Sequence, residues 1–268
     1  MPPDDAATEG PNAKNLVHSL AKGFRVLQAF TAAEPELLLS EVARRAELDN
    51  ATAFRMLNTL VALGYVAKVP DTRRFCLTLK PLELGFNAIA RTGLRDLARP
   101  LLRGLVGEVN EAASLGVLDG ADVVYVERVQ AGLVRMGVDI RVGTRISACT
   151  TAIGHALLAF LPDAGLDAVL ADCSFERAGP GAPAASPEEL RPRLAEVRRD
   201  GTAFADWASV YGLRVLAAPV LDREGYAVAA LSVAAPAMRA TAEDFVASVR
   251  APLLARAREL GLALDAAG

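Results

Sequence analysis

Cys149 and His155 stand six residues apart, and a thiol beside an imidazole is the pairing that a cysteine nucleophile needs. The rest of that machinery is missing. Cys149 precedes a helix and His155 lies one turn inside it, so their side chains need not meet. No carboxylate close in sequence orients the imidazole. Asp206 beside Trp207 has the right type for acid–base work, but no second titrating group accompanies it. Two histidines, His18 and His155, without clustered ligands argue against a metal site. No glycine-rich loop follows a strand and opens a helix to hold phosphate. Cys76, Cys149 and Cys173 form no CxxC pair or disulfide ladder, which fits a reducing cytoplasm. The expectation is therefore a protein that is no enzyme and carries no cofactor.

Binding chemistry is better represented. Residues 146–152 are small and polar, and Cys149, Thr150 and Thr151 bring thiol, hydroxyl and N–H groups to the start of a helix. Such a helix start favours a carboxylate, although capping alone would also explain the threonines. Arg135 and Arg145 are candidate partners for an acid or ordinary surface arginines. Trp207 and Tyr211 precede a core strand and could stack on a planar ring.

A second constellation suits DNA. In a tight helix-turn-helix the second helix enters the major groove. Its outward positions here are Asn50, Thr52, Phe54, Arg55 and Asn58. Arginine can bond guanine bidentately and asparagine adenine, while Thr or Phe can pack on a thymine methyl. Arg44, Arg45, Lys68, Arg73 and Arg74 are candidate phosphate contacts.

These groups need elements to place them. Residues 15–30 carry Leu16, Leu20, Phe24, Val26 and Leu27 at helical spacing, with Ser19 as candidate N-cap. Ser40 opens an amphipathic turn, and Asp49 or Asn50 caps a helix with Ala53, Leu57, Leu60 and Val61 inward. Gly64 ends it, and two short strands follow around residues 70–73. Residues 81–111 read as helix, broken or kinked at Pro100. From 112 the period becomes two. Strands are expected in 113–120, 122–130, 133–140, 202–210, 213–222 and 226–236. Helices are expected in 150–161, in 186–201 with a Ser186/Glu189 capping box, and in 241–264. Strands in meander order with helices on one face suggest an α+β sensor domain of GAF-like type.

The chain has 268 residues, 52% hydrophobic and 23% charged, with a net charge of −3. This composition excludes global disorder. No apolar run approaches the roughly 18 residues of a membrane span, and the acidic, Pro/Gly-rich residues 1–14 read as a disordered leader rather than a secretory signal. Residues 14–80 hold 10 Lys/Arg against 6 Asp/Glu, and all four lysines. The remainder holds 19 against 26. A basic front on an acidic back points the front end toward nucleic acid.

Three stretches then resemble one family in order and spacing: LSEVARRAELDNATAFRMLNTLVALGYV, RVGTRISACTTAIGHALLAFLP and GLRVLAAPVLDREGYAVAALSVAAP. Over nearly all of residues 15–262 the chain resembles the IclR-type bacterial transcriptional regulators, and among them those controlling aromatic-acid catabolism. The resemblance implies two domains. A winged helix-turn-helix (mainly α, with a β-hairpin wing) covers 15–80, a linker helix 81–96, and an α+β GAF-like effector-binding domain 97–262. It implies a cytoplasmic, ligand-responsive regulator of a catabolic operon, sensing a small organic carboxylate of aromatic type. A sensor or enzyme with a vestigial DNA-binding domain is the alternative. It implies homodimers on palindromic double-stranded DNA, with the 82–110 stripe as the contact, and dimers pairing into tetramers. DNA contact carries over to Thr52 and Arg55, while Ala51 lacks the family's usual hydroxyl. The effector cavity carries over to Cys149, Thr150, Thr151, Asp206 and Ser232, and His155 to an exposed basic position. Two departures stand out: Ala208, Ser209, Val210 and Tyr211 replace the usual glutamates before Gly212, and Ala234 replaces a small polar residue. Fewer polar groups favour a flatter, more apolar ligand.

Overall fold

A computed structural model describes residues 15–90, 93–131, 140–175 and 186–267. The chain divides into two compact units between Ala88 and Ile89. The leader, residues 133–139 of the strand expected at 133–140, and Arg135 lie outside the described residues.

The first unit runs α1 (His18–Gln28), β1 (Glu36–Leu38), α2 (Leu39–Arg45), α3 (Asn50–Ala62), β2 (Val66–Lys68) and β3 (Arg74–Leu77). Val26, Leu37, Val42, Leu57 and Phe75 close its core. α1 has no side-chain cap, and Ser19 lies inside it. Glu41 Oε2 accepts the Leu38 N–H at 2.7 Å and secures the start of α2. Asp49 Oδ1 accepts the Thr52 N–H at 2.8 Å and starts α3. That bond holds the Asp49 carboxyl below its ordinary value. Gly64, at φ +79°, turns the chain out of α3 in a conformation that disfavours a side chain. The wing is one strand larger than expected, a sheet in the order β1-β3-β2. Three residues of β1 are too few to show alternation in sequence.

α4 (Pro81–Ala90) precedes the second unit's α5 (Leu94–Val109). Pro100 does not break α5 as expected. Proline forfeits one helical hydrogen bond, and burial of Ala98, Leu102 and Leu105 carries the helix through. Then follow β4 (Ala112–Asp119), β5 (Asp122–Val129), β6 (Arg145–Ser147), α6 (Ala152–Leu158), α7 (Asp163–Asp172), α8 (Pro187–Asp200), β7 (Ala203–Trp207), α9 (Ala208–Tyr211), β8 (Leu213–Leu221), β9 (Ala227–Pro236) and α10 (Ala242–Ala267). β6, α7 and α9 were not expected.

The sheet order is β6-β5-β4-β9-β8-β7, antiparallel throughout. It is not the single meander expected. Two three-stranded meanders join where the first strand, β4, pairs with the last, β9. Helices cover both faces rather than one. Leu231, Val233 and Ala235 of β9 pack toward α5 and α10, while Ala230 packs toward α6 and α8. A strand with apolar or small residues on both faces needs cover on both. Among the described residues no helix is long and apolar enough to cross a membrane.

Candidate functional site

In the first unit α3 offers one exposed face. Asn50, Ala51, Phe54, Arg55 and Thr59 are exposed and Asn58 is half-buried, opposite the buried Ala53, Leu57 and Leu60. Thr52 is a correction. Its side chain is buried at 9% exposure, because one residue of helical rotation places it beside the Ala53–Leu57 stripe. Exposed Thr59, whose hydroxyl donates to the Arg55 carbonyl at 2.9 Å, belongs to this face and was missed. It lies one turn beyond Arg55, so helical spacing alone could have found it.

The five basic candidates separate by what they already hold. Arg45 donates to the Ala29 carbonyl at 3.0 Å and pairs with Glu34. Arg74 donates to the Glu36 carbonyl at 3.0 Å and sits near Glu41. Both tie the unit together and are poorer phosphate clamps than the sequence implied. Arg44, Lys68 and Arg73 are exposed, with no side-chain partner among the described residues.

In the second unit a cavity of about 370 Å³ lies between α6 and the strands facing it. Ile153, Trp207, Leu213 and Val215 give it apolar walls. The Trp207 and Tyr211 rings stack on each other at 4.9 Å between centroids and form one side. Thr150, Thr151, Ser232 and Arg145 are brought to this cavity as expected, and Cys149 and Asp206 are not. The Thr151 hydroxyl donates to the Ser147 carbonyl at 2.7 Å and accepts the Gly154 N–H at 3.3 Å. It is therefore committed to capping α6. Arg145 is half-exposed and binds Asp119 at 2.5 Å and Asp122 at 3.2 Å. Those carboxylates, Asp119 first, raise its pKa and offset its charge.

Three expectations are corrected outright. Asp206 alternates outward between Ala205 and Trp207 and pairs with Arg214 at 3.1 Å. Cys149 is fully buried and joined to Cys173 in a disulfide, Cα–Cα 6.4 Å, 24 residues apart. Sequence spacing hides this pair, because α6 and α7 fold back to bring the two sulfurs together. His155 is buried at 2% exposure, not a surface base. Its Nε2 lies 2.8 Å from the Cys149 carbonyl. A carbonyl only accepts, so Nε2 carries the proton. Burial, with the nearby Arg193 charge, pulls its pKa down to about 4 against the raising effect of that bond.

The sequence reading also missed cavity residues on β5. Tyr125 and Arg128 both line it. β4 and β5 pair Leu115 with Glu127 and then Gly116 with Tyr125, so Val126 is bulged out. The bulge puts Tyr125 and Arg128 on the cavity face and turns Glu127 to the other face, where Arg95 of α5 binds it at 2.8 Å.

Comparison with known proteins gives the same two units. The family pattern described as the IclR helix-turn-helix domain matches residues 19–70, and that of the bacterial transcriptional regulator IclR C-terminal matches residues 86–262. The chain belongs to the IclR family. The Pca regulon regulatory protein of Pseudomonas putida is 33% identical over 246 residues, covering 92% of this chain and 84% of that protein. A crystal structure described as that of a transcriptional regulator candidate from Rhodococcus sp. RHA1 matches with TM-score 0.80 and 38% identity, covering 94% of this chain and all of that one. An IclR homologue from Microbacterium hydrocarbonoxydans, solved with 4-hydroxybenzoate, matches with TM-score 0.74 and 27% identity over 90% of this chain and 98% of that one. This IclR-family chain is a DNA-binding transcriptional regulator with a small-molecule effector domain, and its relatives are named as regulators, not enzymes.

Proposed function

We infer that this regulator controls a catabolic operon and releases or engages its operator on binding a small aromatic carboxylate. The observation that carries the reading is the cavity. At about 370 Å³ it lies near the lower end of ligand pockets, and apolar walls with a stacked Trp207–Tyr211 side suit a flat ring. The names of the Pseudomonas putida relative and of the 4-hydroxybenzoate complex support the class. The protein acts in the cytoplasm, where its DNA lies. Arg55, Asn50, Asn58 and Phe54 read base edges, and Arg44, Lys68 and Arg73 hold phosphates. A single helix-turn-helix reads a short half-site, so a homodimer on a palindromic operator follows. The α5 part of the 82–110 stripe, Leu97, Leu101, Leu105 and Val109, packs into the second unit's own core, so exposed Leu82 and Leu84, with Leu20 and Phe24, supply the apolar surface for pairing, and dimers pair further into tetramers.

Fluorescence anisotropy on the DNA upstream of its operon tests the first half. Arg55→Ala should cost about 1–3 kcal/mol at the operator, and Arg73→Ala should weaken all sequences alike and flatten the salt slope by about one. Wild-type affinity in Arg55→Ala removes the recognition-helix assignment. Calorimetry with 4-hydroxybenzoate, protocatechuate and pyruvate tests the second half. Binding of pyruvate alone replaces the aromatic class with an aliphatic one. A strictly monomeric species by light scattering, with and without DNA, rules out the dimer.

A further inference from the structure

We propose that Arg128 seats the effector's carboxylate on the floor of the cavity, in one cross-strand row with Ser114 and Ser232. The proposal rests on the acid-sensing reading above and names the residue that selects the acid. Register places Arg128 opposite Ser114 and Ser114 opposite Ser232. Residues directly opposite share a face with neighbouring Cβ atoms about 5 Å apart. Arg128 Nη1 donates to Ser114 Oγ at 2.8 Å, which orients the guanidinium along the row. A guanidinium is a planar fork with five donors, shaped for a carboxylate.

The surrounding hydroxyls point the same way. Tyr125, Thr150 and Ser232 are each at most 5% exposed, and all three line the cavity. None of their hydroxyls has a hydrogen-bond partner among the described residues. They line the cavity instead of bonding to protein, and three hydroxyls around one apolar cavity mark where a ligand supplies acceptors. Tyr125 is held as a neutral donor: burial pushes its phenol up to about 12, against the opposing effect of the nearby Arg128 charge. Arg145, which also lines the cavity, has a side chain 48% exposed to solvent, whereas Arg128 is half-buried against Ser114. α6 has seven residues, and the Thr151 hydroxyl caps it. The acid therefore points at the sheet, and the ring lies toward Ile153 and Trp207.

The test measures 4-hydroxybenzoate and its uncharged isostere 4-hydroxybenzamide on the full-length protein by calorimetry. Wild type should prefer the acid. Arg128→Gln should lose about 30-fold or more in acid affinity, the scale of truncating one partner of a buried charge pair, while amide affinity stays within a few-fold. An unchanged acid-over-amide ratio in Arg128→Gln overturns the proposal. If Arg128→Gln loses both ligands, Arg128→Lys decides. Roughly tenfold weaker acid binding with amide affinity kept supports the fork, and wild-type acid affinity overturns it. If wild type takes pyruvate and no aromatic acid, the aromatic reading fails, and pyruvate affinity in the same variants tests Arg128. A wild type that binds no carboxylate overturns both.

Discussion

Replacing His155 with glutamine should flatten the acid side of the stability profile. In the folded protein the imidazole has a pKa near 4 against an ordinary 6.5. The folded state thus binds fewer protons than the unfolded state between those values, and stability must fall as pH drops through that window. The contribution is complete above about pH 6.5 and is gone by about pH 4. At about 1.4 kcal/mol per pK unit, the loss between pH 7 and pH 5 is about 2 kcal/mol, with a ceiling of about 3 kcal/mol. Glutamine keeps a donor for the Cys149 carbonyl and removes the titration. The single tryptophan, Trp207, lies in the same unit, so urea unfolding followed by its fluorescence reads the relevant transition. Charges elsewhere titrate equally in both proteins and cancel in the difference. Wild type and His155→Gln should diverge by about 2 kcal/mol on going from pH 7 to pH 5. Parallel profiles over that range would show that the imidazole is solvated in the folded state, and the burial argument would fail.

Two further outcomes follow from the loop that His155 braces. A Cβ at Gly154 would overlap the backbone of Ala148, which cannot move without shifting Thr150 and Thr151. Gly154→Ala should therefore cost about 3 kcal/mol or more and weaken any effector. A thermal midpoint within two degrees of wild type contradicts that packing. The Cys149–Cys173 bond spans 24 residues, for which the chain-entropy account gives about 3 kcal/mol. Dithiothreitol should lower the wild-type urea midpoint and leave that of Cys173→Ser unchanged, and an equal response in both counts against the bond.

Much of the fold is legible because its elements carry strong local signals. Asp49 starts α3 and Gly64 ends it, Ser186 caps α8, and the period-two runs give β4, β5, β8 and β9. What escaped is short or long-range. β1 and β6 have three residues each, too few for a pattern. The pairing of β4 with β9 joins segments more than 110 residues apart, and no local feature announces it. A break or kink is expected at Pro100 when propensity is weighed without the buried face that carries α5 through it. Thr52 shows how fine the margin is on a helix. Residue type suited a base contact, and a single step of rotation put the side chain inside.

The cavity was legible where it is local and illegible where it depends on pairing. Thr150 and Thr151 precede a helix, and small polar residues there advertise themselves. Trp207 is conspicuous as the one tryptophan. Arg128 offers no such signal. Strict alternation along β5 groups Tyr125 with Glu127, so a reader choosing the charged residue that faces the cavity with Tyr125 chooses the glutamate. That choice predicts an anionic floor and a cationic ligand. The bulge at Val126 exchanges the two, sending Glu127 to Arg95 on the far face and bringing Arg128 beside Ser114. A one-residue shift in register reverses the facing of every residue beyond it, and here it reverses the charge presented to the ligand. The proposed preference for an acid thus follows from the pairing register, which residue types alone do not encode. Deleting Val126 removes the extra residue and leaves Tyr125 opposite Gly116, Glu127 opposite Leu115 and Arg128 opposite Ser114. The floor then keeps its arginine, so acid affinity in that variant should stay well above that of Arg128→Gln. Acid affinity as low as in Arg128→Gln would show that the pairing register does not set the charge of the floor.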